Sequence, residues 1–268
     1  MSRASASYII DGGEPGAARL AVLGRTLAAS SESFLKRTGL RPGVRVLDAG
    51  CGSGELTGWM ADLVGPAEVV GVDVDLTVLS IARERWADRP AAPRFVLADA
   101  GSVPAALGRF DVVYARFLLS HQTDPFATLC DLRELCRPGG VLAVEDVDIP
   151  AMYCEPPSLA FERSTELYCQ AAVARGADPR LGPRLAMLFA EAGFEDVDAG
   201  AVHPSFREGE GKLLAALTLR SIRAAGLDSG LIDEDAFDDV LDEVERLAAD
   251  PGTLIGLPRI HQVMGRVS

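Results

Sequence analysis

Between Val44 and Val147, short apolar runs alternate with amphipathic stretches. VRVLDA (44–49), EVVGVDV (68–74), RFVLAD (94–99), FDVVYA (110–115) and VLAVEDV (141–147) are apolar with little alternation. Each therefore predicts a strand covered on both faces. ELTGWMADLV (55–64) predicts a helix stopped by Gly65-Pro66, and LTVLSIARERW (76–86) one capped by Asp75. Asp124-Pro125 supplies an N-cap and first-position pair for FATLCDLRELC (126–136), halted by Arg137-Pro138-Gly139-Gly140. Strand–helix alternation of this kind makes an α/β protein with a mostly parallel sheet and helices on both faces.

Beyond Pro150 the order loosens. LAFERSTELYCQAAVARG (159–176) and RLAMLFAEAGF (184–194) read as helices, and DVDAGAVHPSF (196–206) as a strand. Two helical patterns follow, Lys212–Ala225 and Glu234–Ala249. In the second, Phe237, Val240, Leu241, Val244, Leu247 and Ala248 form one apolar stripe with acids opposite. LPRIHQVMGRV (257–267) is the last strand. The two helical patterns interrupt a strand pair and are expected to form a lid over the sheet edge. The whole reads as one domain of 268 residues, with an N-terminal helical cap (1–40), a core (41–150), a helix and sixth strand (151–206), a helical insertion (207–256) and a final strand (257–268).

Charge narrows the partners. The chain has 26 Lys and Arg against 39 Asp and Glu, a formal net charge of −13, and its only lysines are Lys36 and Lys212. Phosphate backbones and anionic membranes need clustered cations, so neither nucleic acid nor membrane is an expected partner. No apolar run is long enough to span a bilayer and the N-terminus lacks a signal-peptide core, which makes the cytoplasm the default compartment. Five cysteines without a Cys-x-x-Cys pair fit reduced thiols, and no metal-ligand spacing is visible. A monomer or homodimer is expected.

The sharpest chemical signal is VLDAGCGSGELT, where Gly50, Gly52 and Gly54 share one bend between strand and helix. Such a bend lies at the carboxyl end of a parallel sheet, where open α/β sheets bind ligands. Glycine lets a ligand approach the backbone and permits left-handed dihedrals. The dinucleotide pattern G-x-G-x-x-G would place its third glycine at position 55, which is Glu55. A carboxylate there is expected to repel a pyrophosphate but not a zwitterionic amino acid.

With this bend the sequence resembles the class I S-adenosylmethionine-dependent methyltransferases of small-molecule type. LDAGCGSGELT is similar to the family's first motif, VVGVDVD to its second, LADA to its third, and FDVVYARF and LRPGGVLAVED to the fourth strand and the turn before the fifth. The resemblance implies a Rossmann-like, doubly wound, mostly parallel seven-stranded sheet and S-adenosyl-L-methionine as cofactor. It implies that Asp48, Gly50, Cys51 (by its backbone), Gly52 and Gly54 form the cofactor loop. Asp73 would accept both ribose hydroxyls, with Val74 beside it, since one carboxylate suits a vicinal diol. Asp99 and Ala100 would meet the adenine, and Ala115 and Arg116 the methionine pocket. Asp73 and Asp99 could instead be helix caps, and Arg116 a surface ion pair.

For catalysis the resemblance points to His121, in YARFLLSH, and to Tyr8 in the N-terminal cap. This stretch is similar to the phosphoethanolamine methyltransferases, where a cap tyrosine and a histidine act together. Tyr8 could equally touch the cofactor or pack near the terminus, and His121 could simply cap its loop. Tyr153 and Tyr168 are candidate acceptor-pocket residues or core aromatics, and His203 and His261 are read as structural. The expected reaction moves a methyl group to O or N of a small metabolite, as in specialised metabolism. Alternatives are C-methylation, a scaffold that binds the cofactor for a non-methylating reaction, and a nicotinamide oxidoreductase. The last is weakened by Glu55 and by the absence of a Tyr-x-x-x-Lys pair.

Overall fold

The structure, a computed structural model, describes residues 13–65, 68–89 and 92–268. The first half alternates as its apolar pattern predicts. α1 (Gly13–Lys36) is followed by β1 (Val46–Ala49), α2 (Glu55–Val64), β2 (Val69–Asp73), α3 (Leu76–Trp86), β3 (Arg94–Leu97), β4 (Phe110–Arg116), α4 (Pro125–Glu134) and β5 (Cys136–Asp148). Then come β6 (Tyr153–Glu155), α5 (Leu159–Ala174), α6 (Leu185–Glu191), β7 (Glu195–Val202), β8 (Ser205–Phe206), α7 (Leu214–Ser221), α8 (Arg223–Asp228), α9 (Glu234–Ala249), β9 (Leu254–Gly256) and β10 (Arg259–Arg266).

Seven strands form one sheet in the order β3-β2-β1-β4-β5-β10-β7. β10 runs antiparallel to both neighbours, and the pairings among β1 to β5 are parallel. The chain winds outward from β1 to β3 and then returns to lay β4 on the other side of β1. The tips of β1 and β4 are therefore the point where strand order reverses, the place at which open α/β sheets form a crevice.

Two apolar layers cover the sheet with the strand period of two. Leu47, Ala49, Val72, Val113, Ala115, Leu142 and Val144 face α4 and α6. Val46, Val69, Val112, Tyr114 and Ala143 face α2 and the C-terminal half of α1, through Met60, Val64, Phe34 and Leu35. A third cluster gathers Phe161, Leu167, Tyr168, Ala215, Leu219, Ile222, Phe237, Val244 and Ile255 from α5, α7, α9 and β9. A fourth ties α1 to α7 and β10 through Leu27, Leu214, Leu257 and Ile260. α1 and the late helices thus roof the strand tips.

Three expectations need correction. Residues 212–225 are not one helix: a 3₁₀ turn (Glu210–Leu213), α7 and α8 replace it, broken at Ile222 (φ −107°, ψ 7°), whose side chain turns into the core. Residues 196–206 are not one strand: β7 ends at Val202, and β8 joins a second sheet of order β6-β9-β8. Pro204 lies at the crossing; it has no N–H for a ladder and offers its carbonyl to Leu257 N at 2.9 Å. Finally, the apolar stripe of α9 packs on α5 and α7 rather than over the sheet edge.

Candidate active site

A cavity of about 370 Å³ opens at the tips of β1, β2 and β4, beneath α1, α5 and α7. Its wall brings together Gly50, Cys51, Gly52, Asp73, Val74, Asp99, Ala100, Arg116, His121 and Tyr168, ten of the residues singled out in the sequence.

The glycine bend works in detail as follows. Gly50, Gly52 and Gly54 all have left-handed backbones, at φ 75°, 54° and 78°. A side chain at Gly50 would stand 3.3 Å from Leu118, and one at Gly54 would strike Phe95 at 2.8 Å. Gly52 has open space above its Cα, on the cavity side. Most of the bend's amides are already engaged: Gly50 N and Cys51 N donate to Val72 O at 2.9 and 3.0 Å, Gly52 N to Asp73 Oδ2 at 2.9 Å, and Gly54 N to Cys51 O at 3.0 Å. The turn therefore offers bare Cα surface rather than a nest of free N–H donors. That suits an uncharged adenosyl edge better than a pyrophosphate.

Asp73 is held at the tip of β2, its second oxygen accepting from Asp75 N at 3.0 Å. Burial pushes its proton affinity up, against the backbone donors that lower it. Each carboxylate oxygen keeps acceptor capacity for one further partner. Asp99 accepts from Gly101 N at 2.8 Å, capping a 3₁₀ turn, and lines the cavity with Ala98 and Ala100. Cys51 turns its sulfur down against Gly71 and Phe95, and burial raises its thiol pKa far above the ordinary range, which leaves its backbone on the cavity side.

Asp48, Gly54 and Ala115 do not reach the wall. Asp48 is 3% exposed, accepts from Thr57 Oγ1 at 2.5 Å, and burial raises its pKa to about 6. Gly54 serves as the N-cap of α2, and Ala115 packs in the core. Tyr153 is a correction too: its hydroxyl bonds Ser205 Oγ at 2.9 Å and its ring lies over Gly256 in the second sheet, outside the cavity. Its edge meets His203 at 5.3 Å between centroids. Tyr8 lies outside the described residues. Glu55 lines the cavity but pairs with Arg85 and Ser53, so its charge is not presented bare to a ligand as the sequence suggested.

His121 ends a 3₁₀ turn (Leu119–His121) at the cavity wall. Burial, and then the charge of Arg19, lower its pKa to about 4, so the imidazole is neutral at physiological pH. Asp146, fully buried behind this turn, accepts from Ser120 N at 2.9 Å and fixes the turn's course. Phe117, between Arg116 and the turn, is held at φ 54°, a sparsely populated conformation for an aromatic residue.

Arg116 donates to Ser31 Oγ at 3.2 Å, and Ser31 in turn donates to the buried Glu145 at 3.0 Å. Tyr114 OH donates to the other Glu145 oxygen at 3.1 Å. Burial raises the Glu145 pKa and the Arg116 charge opposes it. This network joins α1 to β4 and β5 beneath the cavity. Sequence reasoning missed Glu145 and Asp146, which look like ordinary strand residues in VLAVEDV. It also missed Arg19 and Thr218, whose approach depends on how α1 crosses α7. Among the described residues no cluster of three His, Cys, Asp or Glu is placed to hold a metal, and no helix is long and apolar enough to cross a membrane.

Residues 46–140 match the family model described as a methyltransferase domain. The chain is 29% identical over 170 residues to phosphoethanolamine N-methyltransferase 1 of Arabidopsis thaliana, covering 63% of this chain and 32% of that protein. It is 38% identical over 119 residues to the ubiquinone/menaquinone biosynthesis C-methyltransferase UbiE of Ectopseudomonas mendocina, covering 43% of this chain and 46% of that one. The chain thus spans about a third to a half of these relatives' lengths. In fold it is similar to phosphoethanolamine N-methyltransferase 2 of Haemonchus contortus, solved with phosphomonomethylethanolamine and S-adenosylhomocysteine (TM-score 0.56, 19% identity, 89% of this chain and 52% of that one).

Proposed function

We propose that the chain is a class I S-adenosylmethionine-dependent methyltransferase that transfers a methyl group from S-adenosyl-L-methionine to an O or N atom of a small metabolite. The observation that carries this reading is the convergence of the glycine bend, Asp73, Asp99, Arg116 and His121 on one cavity. In this reading Gly50 to Gly52 give the adenosyl group close backbone approach. Asp73 accepts the ribose hydroxyls, Asp99 and Ala100 border the adenine, Val74 packs on its ring, and Arg116 closes the methionine end.

When bound, the cofactor supplies a methyl carbon activated by its sulfonium. The protein's own residues do the rest. α1, α5 and α7 roof the site and exclude water, with Leu20, Leu23, Leu27, Leu214 and Leu219 on the wall. Holding an acceptor at about 3–3.5 Å in line with the methyl carbon supplies a large share of the rate. His121 is neutral and can take a proton from a hydroxyl acceptor as the new bond forms, or from an ammonium before its freed lone pair attacks, a contribution of about 10²–10⁴-fold. Tyr168, on the wall beside α7, shapes the acceptor side. The largely apolar lining supports a small-molecule acceptor, of the kind handled in specialised metabolism.

The test is turnover. Incubation with S-adenosylmethionine and a panel of phenols, alcohols and amines should release S-adenosylhomocysteine with at least one of them. S-adenosylhomocysteine should also displace a fluorescent adenosyl ligand while NADH does not. Tight cofactor binding with no methylated product across the panel would favour a scaffold role, and preference for NADH would overturn the cofactor assignment.

A further inference from the structure

Arg19 is 8% exposed, yet no carboxylate among the described residues lies within ion-pair distance of it. Buried charges are ordinarily paired, because an unpaired one forfeits its hydration. Its Nε donates to Thr218 Oγ1 at 3.0 Å, and its other N–H groups meet no acceptor among the described residues. Both residues line the cavity, on α1 and α7. The contrast with Arg116 is instructive, since that side chain shares Ser31 with the Glu145 carboxylate and has its charge answered there. Arg19 and Ser31 lie about 18 Å apart along α1 at 1.5 Å per residue. The two arginines therefore mark different ends of the site: Arg116 at the strand tips, Arg19 under the late helices.

We propose that Arg19, oriented by Thr218, is the docking point for a carboxylate on an otherwise apolar acceptor. This rests on the methyltransferase reading and deepens it by naming the acceptor class. A planar guanidinium with its Nε fixed presents a fork that a carboxylate can meet with two parallel bonds. The neighbouring wall is aliphatic, with Leu20, Leu23 and Leu214, and no second cation from the described residues adjoins Arg19 there. A phosphate dianion would leave charge unanswered in such surroundings, whereas a single carboxylate matches a single guanidinium. The rest of the acceptor would lie along the leucines, with its nucleophilic atom toward His121.

The test uses the full chain saturated with S-adenosylhomocysteine and two matched probe pairs, 2-naphthoate with 2-naphthamide and 4-phenylbutyrate with 4-phenylbutyramide, titrated calorimetrically. At least one acid should bind about tenfold or more tighter than its amide, the scale of a charge-assisted pair. In Arg19→Gln that preference should shrink to about twofold, with Arg19→Lys intermediate because it keeps the charge and loses the fork. S-adenosylhomocysteine affinity should stay unchanged in both variants, which also shows that they are folded. Equal or absent binding of acid and amide to the wild type would overturn the proposal, as would a preference that survives Arg19→Gln. Loss of S-adenosylhomocysteine binding in both Arg19 variants would also overturn it, by moving Arg19 to the cofactor's own carboxylate. Failure of the wild type to bind S-adenosylhomocysteine at all would instead count against the methyltransferase reading itself.

Discussion

Gly52 donates its backbone N–H to the carboxylate of Asp73 at 2.9 Å, so the bend after β1 and the tip of β2 form one unit. The acid that faces the cavity also holds the glycine that lets a ligand approach. Neither residue works alone: Gly52 supplies a left-handed, side-chain-free position, and Asp73 keeps it from drifting. Valine at position 52 would be strained by its positive φ and would project into the cavity. Gly52→Val is therefore expected to abolish S-adenosylhomocysteine binding, measured by calorimetry, while circular dichroism shows the fold retained.

The histidine makes a pH prediction. With its pKa at about 4, His121 is already neutral far below pH 7. If it is the base, the acid limb of kcat/KM should fall off below about pH 5 rather than near 6.5, because that limb reports the free enzyme. His121→Gln should slow turnover without changing cofactor affinity. Undiminished turnover would remove it from the chemistry.

Asp48 should affect stability in an unusual direction. Burial holds its pKa at about 6, against 3.8 for the unfolded chain. Between about pH 4 and 6 the folded protein therefore binds more protons, and the Asp48 contribution to stability falls as pH rises through that window. Asparagine can still accept from Thr57 and carries no charge. Asp48→Asn should be more stable than wild type by about 3 kcal/mol at pH 8, with the advantage vanishing toward pH 4, in urea unfolding followed across pH.

Lys212 is 2% exposed and donates to Asp250 O at 2.5 Å, Thr253 O at 3.2 Å and Thr253 Oγ1 at 2.9 Å. It staples the insertion to the C-terminus of α9, where carbonyls lack helical donors and a cation is favoured. Lys212→Met fills the space but takes the ammonium donor from Thr253 O and Thr253 Oγ1, while Asp250 O keeps only Thr253 N and Thr253 Oγ1. It should cost about 2–3 kcal/mol in urea unfolding, and an unchanged midpoint would show that the staple carries no stability.

The parts of the fold legible in the sequence were those whose apolar runs are continuous and locally capped. β1 to β4 and α2 to α4 follow directly, because Asp75 and Asp124 accept from Thr77 N and Ala127 N as their positions suggest, whereas β5 starts at Cys136, within the stretch read as a helix end and turn. The late helices were less legible. Ile222 breaks a run of good helix formers for tertiary reasons, and Pro204 diverts a chain that otherwise alternates as one strand. Within the site, the strand-tip acids were visible because the glycine bend marks their neighbourhood. Tyr153 was misplaced because nothing local distinguishes a ring lying over Gly256 from one facing a cavity. Arg19 was invisible for a related reason: its burial depends on α7, far along the chain.

The most direct test titrates S-adenosylhomocysteine into the wild type and Asp73→Asn. Asparagine keeps one acceptor for the bend but loses the charge and the second acceptor. The wild type is expected to bind, and the variant to bind more weakly by about 1.5–3 kcal/mol, roughly 10- to 150-fold, with its unfolding transition retained. Equal affinity in the two proteins would contradict the ribose-binding role of Asp73.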